Sequence, residues 1–290
     1  MKEYVIITDS CCDLSEELAQ SAGVTVIPMV FTIDGEEHRN YLDGREMPYK
    51  DFYSRLRAGA AASTSALNMD TFISVFEEQL RQDRDILYLG FSSGLSGTYH
   101  VSTLAAEELA AKYPENKIFC VDTLCASMGE GLLVYLAAMK KRDGAAIEEV
   151  RDFAEQNKLH LCHWFTVDDL NHLKRGGRIS VTTAFVGSLL NIKPILHVDD
   201  EGHLINIGKA RGRRASVESL FAHMKETALD PSGQTVFISH GDCENDALVL
   251  KDMVIKELHP KEVQINAIGP VIGAHSGPGT LALFFLGEKR

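Results

Sequence analysis

Short apolar runs alternate with amphipathic segments along the first half of the chain. Residues 4–8, 24–33, 86–91 and 117–121 read as strands. Segments 14–22, 46–57, 69–82, 98–112, 127–142 and 145–157 carry apolar residues at helical spacing. Asp34-Gly35 is a turn signal, and the small, polar stretch 58–65 reads as a loop. Strands separated by helices predict right-handed crossovers and a mostly parallel sheet, here a three-layer α/β/α arrangement.

The second half has another texture. Strand candidates at 160–166, 194–198, 204–209, 235–240, 262–267 and 281–286 are separated by fewer helices, at 167–175, 182–189, 214–227 and 245–258. Asp199-Asp200-Glu201-Gly202 reads as a hairpin turn. The pattern predicts a two-layer α/β unit with a mixed six-stranded sheet and helices on one side. The boundary is expected near Asn157 to His160, giving an N-terminal domain over 1–158 and a C-terminal domain over 159–290. No linker rich in Pro or Gly marks it, so the halves are expected to pack firmly.

Composition narrows the function classes. The 290 residues are 45% hydrophobic and 24% charged, as in an ordinary globular protein. No run approaches the ~18–20 apolar residues of a membrane span. The opening MKEYVIITDS lacks a signal-peptide cleavage pattern, so a cytoplasmic protein without stable membrane insertion is expected. A net charge of −12 argues against nucleic acid as a partner. The six cysteines form no C-x-x-C and read as reduced thiols. His160-Leu161-Cys162-His163 comes nearest to a metal cluster, but no second ligand group stands at a suitable spacing, and no metal is expected.

Candidate chemistry gathers where small polar residues follow apolar runs: Thr8-Asp9-Ser10, Ser63-Thr64-Ser65, the stretch 92–98, and the glycine-bearing stretch 269–280 with His275. In α/β sheets the carboxyl ends of strands are where ligands bind. Gly90-Phe91-Ser92-Ser93-Gly94 is a literal G-x-S-x-G. A nucleophile elbow there makes Ser92 the attacking group, with Asp122 or Asp168 and then His240 or His275 following in chain order. That motif is short, no oxyanion-hole signature precedes it, and Ser93, Ser96 and Thr98 are equally well displayed. An anion cradle uses more of the composition. Ser96-Gly97-Thr98 stands where a helix must begin, and it offers hydroxyls and free N–H groups to a phosphate or a carboxylate. Ser63-Thr64-Ser65 does the same ahead of Met69, although each serine also serves as a helix cap. Gly277-Pro278-Gly279-Thr280-Leu281-Ala282 precedes a strand-like run instead of opening a helix, so it fails as a dinucleotide fingerprint. Lys174, Arg175 and Arg178 surround Gly176-Gly177, and Lys209, Arg211, Arg213 and Arg214 follow a strand. These clusters are either solvated surface or a docking patch for an acidic or phosphate-bearing partner.

Several pieces occur in order over nearly the whole chain: Thr8-Asp9-Ser10 with Asp13-Leu14, Thr64-Ser65, Ser92-Ser93-Gly94-Leu95-Ser96-Gly97-Thr98-Tyr99, Val121-Asp122-Thr123, Asp169-Leu170 with Leu173 and Gly176-Gly177-Arg178-Ile179, Asn191-Ile192-Lys193-Pro194-Ile195-Leu196, and 269–279. The ordered set resembles the DegV family of bacterial fatty-acid-binding proteins. The resemblance implies two α/β domains with a long-chain fatty acid in an apolar tunnel between them. It implies a carboxylate held by Thr64 and Ser96, with Ser65, Ser93 and Gly97 in the same loops and His275 close to the head group. It also implies a partner, an ATP-dependent fatty acid kinase that converts the presented acid to acyl phosphate, with Arg178, Arg211 and His275 at the handover. On this reading the chain is a binding module, with no catalytic nucleophile and no cofactor. Cys11-Cys12 and Ala66-Leu67 depart from the residues common in the family, which bears on tunnel shape but removes no carboxylate ligand. A serine esterase using Ser92, or a phosphate-ester-binding protein, is the alternative.

Overall fold

A computed structural model of the chain describes residues 2–179 and 191–290. The helix expected over 182–189 lies outside the described residues. Four strands, β1 (Tyr4–Asp9), β2 (Val24–Ile27), β6 (Asp85–Gly90) and β7 (Ile118–Asp122), pair in parallel in the order β2-β1-β6-β7. β6 is buried along its whole length, as a central strand covered on both faces must be. Alternate residues serve two cores. Leu87 and Leu89 pack with α5 (Met128–Arg142) and α6 (Ile147–Asn157), whereas Ile86 and Tyr88 pack with α3 (Met69–Leu80) and α4 (Thr98–Lys112).

The apolar run 24–33 is not one strand. Pro28 has no N–H for a ladder, and the chain breaks there. The first part is β2. The second, β3 (Met29–Ile33), is the middle of an antiparallel sheet ordered β4-β3-β5. Asp34-Gly35 turns into β4 (Glu36–Asn40), whose charged residues give no apolar run. β5 (Ala62–Ser65) stands where a loop was expected; pairing with β3, Phe31 opposite Thr64, makes it a strand. α1 (Glu16–Ala22) lies within the expected segment, and α2 (Tyr49–Arg57) begins only after Pro48.

β8 (Leu161–Thr166), β9 (Ile192–Val198), β10 (Leu204–Arg211), β11 (Thr235–His240), β12 (Glu262–Ala267) and β13 (Leu281–Leu286) form a mixed sheet ordered β10-β9-β8-β13-β11-β12. Only β11 and β12 pair in parallel. α8 (Arg213–Thr227) and α9 (Glu244–Leu258) cover one face. The other face meets α5. That helix also touches β1 and β6, so it is clamped between the two large sheets. This position explains why Met128, Gly129, Glu130, Gly131, Leu132, Leu133 and Val134 are all buried, with no solvent face to mark them. Gly129 permits the close approach, because a Cβ there would overlap the His163 ring on β8. The stretch 269–280, expected to be a loop, contains the short helix α10 (Pro270–Ser276). Pro270 opens it, and Gly277, at a φ of 78°, ends it. α7 (Asn171–Arg175) packs against α10. No helix among the described residues is long and apolar enough to cross a membrane.

Candidate functional site

The carboxyl ends of β1 and β6 open onto a cavity of about 950 Å³, its mouth included. Phe165, Phe284 and Ala282 line it from the six-stranded sheet, Val198 and Leu204 from the β9–β10 hairpin, and Phe91 from the residue after β6. Thr64, Ser65, Ser96, Gly97, Arg178 and His275 line it as well.

Direct contacts join the polar members. Thr64, held on β5 by pairing with Phe31, places Oγ1 2.7 Å from Nε2 of His275 on α10. Nδ1 of the same ring packs on Gly176, at the end of α7, where there is no room for a Cβ. Arg178 donates from Nη1 to the Gly176 carbonyl and from Nε to that of Leu95, 3.1 Å away. Ser96 follows Leu95. Its Oγ lies 2.9 Å from Thr98 Oγ1 and accepts the Thr98 N–H at 3.2 Å, at the first residue of α4. The loop thus presents a hydroxyl beside the amino end of a four-turn helix.

The electrostatics favour an acid. Among the described residues no carboxylate lies within ion-pair distance of Arg178, whose partners here are backbone carbonyls. Burial lowers its pKa from the usual value, yet a guanidinium stays charged in any such setting. Burial, and then the Arg178 charge, push the His275 imidazole down to about 4, so it is neutral near pH 7. Hydroxyls, a neutral imidazole and one guanidinium at an otherwise apolar cavity suit a carboxylate with a hydrocarbon chain. Charge-assisted hydrogen bonds offset the desolvation of the head group.

Two residues from the expected set stand elsewhere. Ser93 is exposed and lies outside the cavity wall, its N–H bonded to Asp122 Oδ1 at 3.1 Å. Arg211 is exposed at the end of β10, also off the wall. The elbow reading of Ser92 meets a structural obstacle. Ser92 is fully buried, its Oγ donates to the Gly202 carbonyl at 2.9 Å, and it accepts the Gly94 N–H at 3.2 Å. Asp122 accepts the N–H groups of Ser93 and Leu124, Asp168 pairs with Lys193, and His240 is buried on β11. The G-x-S-x-G therefore braces the loop after β6 against the β9–β10 hairpin.

The cavity also holds residues that the sequence did not place at a ligand site. His163 is one of them; Ala126 N–H donates to its Nε2 at 3.2 Å, and Nδ1 faces the Leu161 carbonyl at 2.9 Å. Cys162 points to the opposite side, into the core under α8 and α9. Strand alternation signals that split, but which face meets a ligand depends on the sheet's neighbours. No group of three or more metal-ligating side chains occurs among the described residues.

The DegV family model matches residues 3–288. A DegV domain-containing protein of Clostridium perfringens is 48% identical over 290 residues, 100% of this chain and 99% of that one. Among solved structures, a Thermus thermophilus DegV family protein described for fatty acid binding superposes with a TM-score of 0.89. It is 31% identical and covers 99% of this chain and 100% of its own. The fatty acid binding protein DegV of Bacillus subtilis gives a TM-score of 0.85 at 26% identity, covering 99% of this chain and 100% of its own.

Proposed function

Because the chain belongs to the DegV family, we propose that it binds one long-chain fatty acid in this cavity, in the cytoplasm and without a cofactor. The carboxylate lies against Thr64, Ser96 and His275, and the acyl chain runs along the apolar wall. The observation that carries this reading is the Arg178 charge, with no carboxylate in ion-pair distance among the described residues, beside hydroxyls at an otherwise apolar cavity. Burial of some fourteen methylenes contributes about 11 kcal/mol before the losses of association. The head group then sets orientation more than affinity. Native mass spectrometry of the purified protein is expected to show an added mass of one fatty acid, released on solvent extraction. A protein that stays empty after incubation with mixed fatty acids rules the reading out.

The same reading makes the protein the acyl carrier of an ATP-dependent fatty acid kinase. The γ-phosphoryl group passes from ATP to a carboxylate oxygen, leaving ADP and acyl phosphate. Arg178 and His275 at the cavity, with Arg211 exposed on β10, support this by placing positive or neutral donors where charge accumulates. With the protein loaded, a double Arg178→Ala, His275→Ala variant is expected to slow acyl-phosphate formation by about 10²-fold. Unchanged formation removes the two residues from the transfer.

A further inference from the structure

Among the described residues, one solvent-shielded hydroxyl on the cavity wall has no partner. Ser276 ends α10 and lines the cavity beside His275. It is 6% exposed, and its Oγ is shielded from solvent without a hydrogen bond. Other shielded polar groups on the wall are engaged. Thr280 Oγ1 lies 3.0 and 2.8 Å from the carbonyls of Ser276 and Gly277. Ser127 Oγ meets Asp13 and Ser239, and His163 Nε2 takes the Ala126 N–H. A serine late in a helix ordinarily returns its hydroxyl to the carbonyl one turn back; that of Ser276 does not. A buried hydroxyl left unpaired destabilises the empty protein, so its partner is to be sought in what fills the cavity.

Its place on the helix says which part of the occupant it meets. His275 and Ser276 stand at the carboxyl end of α10, about 1.5 Å apart along its axis. Val271 and Ile272 line the same cavity from the other end. The carboxyl end of α10 therefore puts polar side chains on the wall at the level of the Thr64–His275 pair, and its other end contributes apolar ones. We propose that Ser276 Oγ donates a hydrogen bond to the carboxylate of the bound fatty acid and so helps the site prefer an acid to an uncharged head group. This rests on the fatty-acid reading above.

The test compares palmitate with hexadecanol, which has the same chain length and no carboxylate, on the delipidated full chain. Ser276→Ala is expected to weaken palmitate binding about tenfold, as loss of a hydrogen bond to a charged group does, and to leave hexadecanol binding unchanged. The empty variant is expected to melt at the same temperature as the unsubstituted protein or higher, because the orphaned hydroxyl is gone. A purely packing role lowers both affinities together and overturns the proposal, as does an unchanged palmitate affinity. Failure of the unsubstituted protein to bind palmitate is a different result: it removes the fatty-acid reading, and this inference with it.

Discussion

Gly176→Ala is expected to weaken fatty-acid binding by about tenfold or more while the fold survives. The backbone raises no objection, since Gly176 sits at φ −70° and ψ −10°, which alanine adopts freely. The difficulty is the space above it. An added methyl overlaps Nδ1 of His275, and the largely enclosed ring must swing away. It then loses its 2.7 Å contact with Thr64, and the Thr64 hydroxyl loses its orientation toward the cavity. Gly177 provides the control. It has φ +70° and nothing within reach of an added Cβ, so Gly177→Ala strains the backbone by about 1–2 kcal/mol without touching the site. Titration with a fatty acid and thermal melting separate the two. Site disruption shows as lost affinity in the first variant, and backbone strain as lost stability in the second. Equal affinity in Gly176→Ala and the unsubstituted protein means that His275 does not hold the head group.

A second large effect concerns pH. Asp13 follows the turn after β1 at a left-handed φ of 50° and reaches across to the six-stranded sheet. Ser127 Oγ donates to its Oδ2 at 2.6 Å, Gly269 N–H to its Oδ1 at 2.8 Å, and Asn266 Nδ2 to its carbonyl at 2.8 Å. These donors are neutral. Burial outweighs them and pushes the carboxyl up to about 8, with the Asp9 charge adding to it. The folded protein therefore keeps a proton that the unfolded chain releases near pH 4. The stability this contributes is complete below that pH and is lost as pH rises through about 8, by about 1.4 kcal/mol per unit. Asparagine is neutral throughout, so Asp13→Asn is expected to match the unsubstituted protein near pH 4 and to exceed it by several kcal/mol at pH 8. Burial holds His163, His240 and His275 below their ordinary values, which acts in the opposite direction at acid pH, but those groups are common to both proteins and drop out of the difference. Urea denaturation of the pair across pH 4–8 reads it, and parallel curves refute it.

Glu130 on α5 points the same way by counting protons. The Thr8 hydroxyl has one hydrogen and faces two acceptors, the Leu89 carbonyl at 2.8 Å and Glu130 Oε1 at 2.7 Å. Both contacts are hydrogen bonds only if Glu130 is the donor in the second, that is, protonated. Burial raises its pKa well above the ordinary value, in keeping with that count.

The sequence by itself determined the α/β class, the mostly parallel first sheet, the mixed six-stranded second sheet, and the small polar loops that end their strands. Those features follow from periodicity and turn chemistry, which act over a few residues. It also marked Thr64, Ser96, Arg178 and His275, through loop composition and an ordered resemblance. Tertiary structure alone decided the rest. β5 is a strand because β3 lies beside it, and α5 is buried all round because two sheets clamp it. Ser92 is a brace and not a nucleophile because Gly202, 110 residues later, supplies its acceptor. The cavity draws residues from the six-stranded sheet, from the three-stranded one, from the segments that follow β1 and β6, and from α10, so its wall is a property of how these pack and of no single segment. Local pattern reports which residues seek burial; only the assembled chain says against what.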